Sequence, residues 1–254
     1  MRVGKNKKKP YIDRSQPASN GMITIYTLTY NEELLIQFMI DHYRIRFPGC
    51  RIVFFDNIST DNTVKIALAN NCEVIPFDTG GQFQDRRHME IKNSCWKDAK
   101  TDWVLVCDLD ELLDINEAQL NKEEASSISI IRTECYDMIN LEDNLDIAEM
   151  KYGVISELPG KFCLFNKKLM SEINYGPGCH TCSPVGIITY SKTVYKLYHY
   201  NSISENLTIK KFRLYRARLS PENLKNGWGI HYLMTPKQIR EEFAAQQVKA
   251  IKVR

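Results

Sequence analysis

The acidic residues that follow the most apolar run of the sequence carry the clearest chemical signal. Residues 103–107 have the pattern of a strand buried on both faces of a parallel sheet, and Asp108 and Asp110 come directly after it. Residues i and i+2 of an extended chain point to the same side, so the two carboxylates would project together from the carboxyl end of the strand. Hard divalent cations such as Mg²⁺ or Mn²⁺ prefer such oxygen ligands and bridge them to phosphate. The pair is a candidate metal site, with an ordinary acidic turn as the alternative.

An alternation of strands and helices is expected to position this pair. Strands are predicted at residues 22–29, 51–55, 72–77 and 103–107, with a helix in each of the three short connections. Such alternation predicts a parallel sheet with helices on both faces. Asn31, a candidate helix cap, and Asp56 follow the first two strands. They would therefore share one edge of the sheet with the two aspartates, and open α/β sheets bind nucleotides at that edge.

The alternation stops after residue 114. Asp114 is expected to cap a helix, and strands are predicted at residues 127–138 and 161–166. Residues 186–190 and 193–200 are predicted to form a hairpin.

Two helices are expected near the end of the chain. Ser202 with Glu205 would cap a basic helix that reaches Arg218, and Thr235 would begin the last one. The predicted fold is an α/β domain with a mostly parallel central sheet flanked by helices, a small antiparallel portion and C-terminal helices.

Composition bounds the possible functions. The 254 residues fit one domain at 21–254 with a flexible basic tail at 1–20, and the net charge of +3 is too small to indicate a nucleic-acid binder. No apolar segment approaches the about 20 residues of a membrane helix, although peripheral membrane contact through the tail stays open. A signal-peptide core is absent and the eight cysteines are scattered, which favours a reducing, cytoplasmic setting.

Several motifs in one order resemble nucleotide-sugar-dependent glycosyltransferases of the GT-A (Rossmann-like) fold, in the family-two-like group. Residues 29–33 (TYNEE) resemble the first-strand signature of that group, and residues 56–63 resemble its Asp-x-x-Ser-x-Asp turn. Residues 92–93 fall where the group usually has Arg-Asn, and residues 108–111 resemble the Asp-x-Asp-Glu motif of one subgroup. The resemblance is clear over residues 22–115 and looser beyond.

This resemblance implies a metal-dependent hexosyl- or deoxyhexosyltransferase. It would move a sugar from a nucleoside-diphosphate donor, with UDP favoured, to a glycan or other hydroxyl acceptor, with inversion. Residues 21–115 would bind the nucleotide and residues 116–254 the acceptor. The implied nucleotide-sugar-binding residues are Thr29, Tyr30, Asn31, Glu32, Asp56, Asn57, Lys92, Asn93, Asp108, Leu109 and Asp110. The implied cofactor is Mn²⁺ or Mg²⁺, held by Asp108 and Asp110. Lys92 keeps the charge of the usual arginine but loses its bidentate fork.

Other residues are candidates for the remaining roles. An inverting enzyme needs a base for the acceptor hydroxyl, and the candidates are Asp137, Glu157 and His180. His199 would complete the metal shell or contact the diphosphate. The candidates for contact with the sugar or acceptor are Trp228, His231 and Tyr232, with core packing as the alternative for the aromatic rings.

Two other functions fit part of this pattern. A sugar nucleotidylyltransferase would carry a Gly-rich, Arg-containing loop after the first strand, where this chain has residues 29–33 (TYNEE). A non-catalytic nucleotide-sugar or glycan-binding protein would not need the intact Asp108/Asp110 pair. A Rossmann dehydrogenase or methyltransferase is disfavoured because no Gly-x-Gly pattern follows the first strand.

Overall fold

The computed structural model of the protein describes residues 21–142, 145–158 and 160–254, so the predicted tail at residues 1–20 lies outside the described residues. The strands are β1 Ile23–Thr29, β2 Arg51–Asp56, β3 Glu73–Pro76, β4 Trp103–Asp108, β5 Glu111–Leu113, β6 Ile130–Ile139, β7 Tyr152–Ile155, β8 Leu164–Asn166, β9 Met170–Glu172, β10 Val185–Gly186, β11 Tyr190–His199 and β12 Ile251–Lys252. The α-helices are α1 Ile36–Arg46, α2 Thr63–Ala69, α3 Asp85–Ser94, α4 Glu117–Ala125, α5 Glu205–Arg218, α6 Pro221–Asn226 and α7 Pro236–Lys249, and two short 3₁₀ helices cover Pro177–Cys179 and Ile230–Leu233.

A ten-stranded sheet organises these elements. Its main path runs β12-β7-β6-β8-β4-β1-β2-β3, and β11 and β5 are attached beside β6. The strands β4, β1, β2 and β3 are parallel neighbours, joined by α1, α2 and α3 as the alternation predicted. Short antiparallel strands and C-terminal helices follow. The predicted α/β class with a mostly parallel central sheet is thereby confirmed.

The parallel strands that carry the site are covered on both faces. Every residue of β1 is buried, and the first five residues of β4 are buried as well. Helix α1 packs Ile36, Met39 and Tyr43 into the main core, each with no exposed surface. The continuous apolar runs are therefore explained by burial on two faces rather than one. This burial fixes where β1 and β4 end, and with them the polar residues that follow.

The predicted hairpin over residues 186–200 is wrong. Residues Tyr190–His199 form a single strand that runs parallel to β6, while Val185–Gly186 pairs with β9. A register shift between Tyr190 and Val194 takes up the polar residues that were expected to turn. The backbone N–H of Arg132 donates to Ser191 Oγ at 2.9 Å, and its Nε donates to the Ser191 carbonyl at 2.5 Å. These bonds from β6 hold Ser191 and Lys192 in an extended bulge.

Three predicted helix caps are also wrong, and for two of them the polar side chain has a partner elsewhere. Asn31 has a φ of 55° and its Oδ1 accepts from the Thr60 N–H at 2.7 Å, so α1 begins five residues later. Asp114 is bound by Arg46 at 2.7 Å, and Asn116 forms the capping box of α4. Helix α5 is capped by Ser204 rather than by Ser202.

The last predicted helix start is confirmed, since Thr235 caps α7 in a capping box with Gln238. None of the helices in the described ranges combines the length and apolar character that crossing a bilayer requires. All eight cysteines have free thiols.

His42 makes the stability of the fold depend on pH. Its ring is buried on α1, and Nε2 donates to the Leu113 carbonyl at 2.9 Å. Burial, aided by the charge of Arg46, lowers the pKa of His42 to about 3, whereas the unfolded value is about 6.5. The unfolded chain therefore takes the proton first, so this stabilisation is complete above pH 6.5 and is lost as the pH falls towards 3. From pH 7 to pH 5 the loss is about 2 kcal/mol.

For His42→Gln, we expect the free energy of unfolding, measured in urea, to depend less on pH than in the native chain. The difference should correspond to about one proton taken up on unfolding over this range. Burial also lowers the pKa of His88 to about 3, so His88 should give a similar pH dependence of the free energy of unfolding. This contribution remains in His42→Gln and serves as the comparison. An unchanged pH dependence of the free energy of unfolding in His42→Gln would contradict this assignment.

Candidate active site

A cavity of about 500 Å³ opens over the carboxyl ends of β1 and β4. Helix α5 and the segment that follows it close the opposite side. Most of the predicted site residues line this cavity, namely Thr29, Tyr30, Glu32, Asn57, Lys92, Asp108, Leu109, Asp110, Asp137, His180, His199, Trp228, His231 and Tyr232. The structure therefore gathers residues from both halves of the sequence around one space.

Asp108 is the last residue of β4 and is held by two lysines. Its Oδ1 accepts from Lys92 Nζ at 2.6 Å and its Oδ2 accepts from Lys161 Nζ at 3.2 Å. Lys161 also forms an ion pair with Glu111, and both of these side chains are almost completely buried. Burial alone would raise the pKa of Asp108, but the two ammonium groups hold it well below its usual range. Both oxygens of this carboxylate are thus already used by cations of the chain.

Asp110 faces a lysine and a histidine. Its Oδ2 accepts from Lys211 Nζ at 2.6 Å and lies 3.8 Å from His199 Nε2. The other ring nitrogen of His199, Nδ1, lies 2.8 Å from Asp137 Oδ1, an ionised acceptor, so Nδ1 carries the proton. Burial lowers the pKa of His199, and the bond to Asp137 more than offsets this and raises it. In the neutral ring the lone pair on Nε2 therefore points towards Asp110.

Backbone pairing fixes the distance between these two side chains. His199 lies opposite Glu111 in the antiparallel β5–β11 register, and the Tyr200 N–H donates to the Asp110 carbonyl at 2.7 Å. Strand β5 follows Asp110 directly, and β11 ends at His199. The two side chains therefore meet because neighbouring strands present them, although they are far apart in sequence.

Asp110 and His199 have the properties of a divalent-cation site. A carboxylate oxygen and an imidazole Nε2 are suitable ligands, and a histidine ligand commonly donates its other N–H to a carboxylate, as His199 does to Asp137. Among the described residues, Cys135, Asp137 and His199 form the one group of three whose possible ligand atoms lie within 4.8 Å of one another. Burial raises the pKa of the Cys135 thiol, which makes it a poor ligand for Mg²⁺ or Mn²⁺.

The two motifs after β1 and β2 lock together at the other end of the cavity. The Asn31 N–H donates to Ser59 Oγ at 2.9 Å, and the Glu32 N–H donates to Thr63 Oγ1 at 2.7 Å. Asp56 Oδ2 accepts from the Ser59 N–H at 3.0 Å, and burial raises the pKa of Asp56. Asn31 thus shapes the loop, while its neighbours in sequence face the cavity.

Two residues expected at the nucleotide have mainly structural contacts. Asn93 exchanges hydrogen bonds with the backbone of Tyr175, at 2.7 Å and 3.2 Å, and is not among the residues that line the cavity. Leu109 belongs to the main apolar core, although part of it borders the cavity. Their roles in binding stay predictions.

The three base candidates occupy different positions. Asp137 is engaged by His199, and this bond, against the effect of burial, lowers its pKa, which makes it a weak base. Glu157 is exposed, and its sequence neighbours Ser156 and Leu158 line the cavity. His180 lines the cavity directly. Of the three candidates, His180 has the position that best suits proton transfer within the cavity.

The aromatic candidates at the acceptor side are partly committed to packing. The Tyr232 ring stacks on Tyr215 with centroids 4.6 Å apart and packs edge-on against Phe212. The neighbouring His231 is exposed, and its ring centroid lies 4.0 Å from that of Tyr232. Trp228 is half-buried at the edge of the cavity. The packing alternative therefore fits Tyr232 best, and a contact with substrate fits Trp228.

Sequence reasoning missed several charged residues of the cavity. Lys161 lies three residues before the start of β8 and 53 residues from Asp108, so no local pattern connects them. Asp85 lines the cavity at the start of α3, and burial raises its pKa to about 6. Lys211 and Arg218 belong to a helix whose basic residues usually face solvent. The seven-residue spacing of these two, close to two helical turns, was a usable signal that both point to one side.

Comparisons with known proteins give only distant likenesses. No family model matches the sequence, and no curated protein does. Among solved structures, the chain is similar to S. aureus TarS, with a TM-score of 0.42 and 14% identity over 77% of this chain and 39% of that one. It is similar to the mannosyltransferase PcManGT from Pyrobaculum calidifontis, solved with GDP-Man and Mn²⁺, with a TM-score of 0.44 and 13% identity over 89% of this chain and 73% of that one.

A third similar structure is glucosyl-3-phosphoglycerate synthase from Mycobacterium tuberculosis, solved with Mn²⁺, UDP and glucosyl-3-phosphoglycerate. Its TM-score is 0.44, with 13% identity over 78% of this chain and 77% of that one. All three likenesses are weak. The functional evidence for this chain therefore lies in its own site.

Proposed function

We propose that the protein is a metal-dependent glycosyltransferase. It would move a hexosyl or deoxyhexosyl group from a nucleoside-diphosphate sugar to a hydroxyl of a glycan or similar acceptor. A UDP-linked donor and inversion are proposed on the sequence resemblance. The observation that supports the metal requirement best is the meeting of Asp110 and His199 Nε2 at the edge of the sheet, with Asp137 orienting the imidazole.

The charge of the cavity floor also favours a cation. The floor holds four carboxylates and three ammonium groups, namely Asp108, Asp110, Glu111 and Asp137 against Lys92, Lys161 and Lys211. These carboxylates and ammonium groups together carry one net negative charge. A nucleoside-diphosphate donor adds about two more, which repel the floor in a partly buried space. A bound divalent cation would remove most of this repulsion.

The roles of the chain follow from these contacts. When bound, Mn²⁺ or Mg²⁺ would stabilise the charge that develops on the leaving diphosphate. Asp110 and His199 would hold the cation, and Asp137 would keep the His199 proton on Nδ1. Lys92 is kept in place by Asp108, facing the same cavity. His180 is proposed to take the proton from the acceptor hydroxyl, because Asp137 is already engaged.

Ligand-dependent thermal stability tests this proposal. We expect UDP or another nucleoside diphosphate to raise the melting temperature in the presence of Mn²⁺ and much less in EDTA. A ligand at a hundredfold excess over its dissociation constant stabilises the native state by about 2.7 kcal/mol. Release of nucleoside diphosphate from the sugar donor would then identify a transferase, whereas release of pyrophosphate from a nucleoside triphosphate and a sugar 1-phosphate would identify a nucleotidylyltransferase. Absence of any metal-dependent shift in the folded protein would contradict the proposal.

A further inference from the structure

A cysteine, an aspartate and a histidine meet on two neighbouring strands beside the cavity. Cys135 and Asp137 lie two residues apart on β6, so both side chains point to the same face of the sheet. Asp137 lies opposite His199 in the parallel register of β6 and β11. One sulfur, one carboxylate oxygen and one imidazole nitrogen of these residues lie within 4.8 Å of one another. Backbone pairing therefore holds a mixed set of possible metal ligands together.

This cluster of Cys135, Asp137 and His199 is accessible to an ion through the cavity, which all three residues line. Cys135 is 6% exposed, and the other two residues are partly buried. The cluster carries two negative charges once the thiol is ionised, which balance the charge of a divalent cation. A bound cation would therefore leave no net charge in this partly buried place, which favours its binding.

The sulfur decides which cation suits the cluster. Thiolates select Zn²⁺ and similar ions, whereas Mg²⁺ and Mn²⁺ prefer oxygen ligands. Zn²⁺ binds such ligands at about 2.0–2.3 Å in a tetrahedral arrangement, which places the ligand atoms about 3.3–3.8 Å apart. Asp137 Oδ1 and His199 Nδ1 are 2.8 Å apart and no ligand atoms are separated by more than 4.8 Å, so shifts of about 1 Å suffice. The cation would displace the thiol proton to solvent.

His199 belongs both to this cluster and to the pair with Asp110. In the pair, Nε2 offers its lone pair while Nδ1 keeps its proton on Asp137. In the cluster, the ring nitrogen beside Asp137 is Nδ1, so its proton would move to Nε2 by exchange with solvent. The ring would then present an N–H towards Asp110 instead of a lone pair. The two cation sites therefore need opposite tautomers of one neutral imidazole.

We propose that Cys135, Asp137 and His199 bind Zn²⁺ or another thiophilic divalent cation, and that this binding inactivates the Asp110–His199 site. The class of cation follows from the sulfur, and the inhibition follows from the shared imidazole. The inhibition rests on the proposed function, whereas the zinc site does not.

Cobalt spectroscopy tests the zinc site without nucleotide or activity, because Co²⁺ accepts the same ligands and absorbs in the near ultraviolet when a thiolate binds it. We expect the native protein to show this band with equimolar Co²⁺, and added Zn²⁺ to remove it. Cys135→Ser should lack the band, and Asp137→Asn should weaken Co²⁺ binding at least about tenfold. Cys182→Ser changes a half-buried thiol that is not in the cavity wall, and it should keep the band.

Thermal stability tests the inhibition. Equimolar Zn²⁺ should cancel the Mn²⁺-dependent rise in melting temperature that a nucleoside diphosphate gives in the native protein. Cys135→Ser should keep this rise in the presence of Zn²⁺, because it retains Asp110 and His199 but lacks the sulfur.

The outcomes separate this inference from the proposed function. A native protein without the thiolate band, or a band that survives in Cys135→Ser, overturns the zinc site. A band combined with an unchanged Mn²⁺-dependent stabilisation in Zn²⁺ overturns the inhibition alone. If Mn²⁺ never affects nucleotide binding, the proposed function and the inhibition are overturned, and the spectrum still decides the zinc site. Should Cys135→Ser fail to fold, Cys135→Ala replaces it, since alanine removes the sulfur without burying a hydroxyl.

Discussion

Asp110→Asn is expected to lower the rate of sugar transfer about a thousandfold, because the substitution removes the charge that would bind the divalent cation. The amide also leaves Lys211 without the carboxylate that it now contacts at 2.6 Å. The rate would be measured as release of nucleoside diphosphate over a range of Mn²⁺ concentrations. We expect the variant to need far more Mn²⁺ than the native chain for the activity that remains.

Two further variants sharpen this experiment. Asp98→Asn changes an exposed carboxylate outside the cavity and should leave the rate unchanged. Asp108→Asn should lower the rate with little change in the Mn²⁺ requirement, since the Asp108 oxygens are bound by Lys92 and Lys161. If Asp108→Asn shifts the Mn²⁺ requirement as strongly as Asp110→Asn, the aspartates share the cation as the sequence alone predicted. A native rate and Mn²⁺ requirement in Asp110→Asn would contradict the assignment.

Lys161→Met is expected to lower the free energy of unfolding by about 3–5 kcal/mol, because it leaves a buried carboxylate without a cation. Glu111 is 1% exposed, and Lys161 is its ion-pair partner within the described residues. Unfolding in urea would measure the loss. Adding Glu111→Gln to Lys161→Met should recover most of it, since the uncompensated charge is then gone.

An exposed ion pair provides the matched control. Lys168 contacts Asp102 at 2.6 Å, with side chains 67% and 39% exposed, and Lys168→Met should cost less than about 1 kcal/mol. Equal losses in the two single variants would show that burial of the Lys161–Glu111 pair has little effect. Failure of Glu111→Gln to recover stability would show that packing, rather than charge, decides the effect.

The sequence predicts the parallel half of this fold well and the other half poorly. Residues 103–107 of β4 are an unbroken apolar run, and β1 and β2 are rich in β-branched and aromatic residues, so the burial of these strands is recorded locally in the residues themselves. The ends of these strands, at Asp56 and Asp108, were therefore placed correctly. Strand β11 pairs with β6, about 60 residues away, and Ser191 is held in a bulge by Arg132. No local pattern contains that partner, so the polar residues were taken for a turn.

The charged residues of the site show the same limit. Asp108 and Asp110 were identified because two carboxylates after an apolar run form a pattern within a few residues. Lys161 was missed because its importance depends on Glu111, a partner fifty residues away in sequence. Lys211 lies in the basic helix that the sequence predicted, and only the structure shows that it contacts Asp110.

The pairing of β5 with β11 has a consequence for how such a chain can diversify. Asp110 and His199 are held by the backbone of two neighbouring strands, and the chain between those strands contains α4 and strands β6 to β10. Insertions or exchanges in the connections of that stretch, such as the one between β6 and β7, would leave the spacing of the two side chains unchanged. Evolution or protein engineering could therefore change these connections while the spacing of Asp110 and His199 is inherited intact.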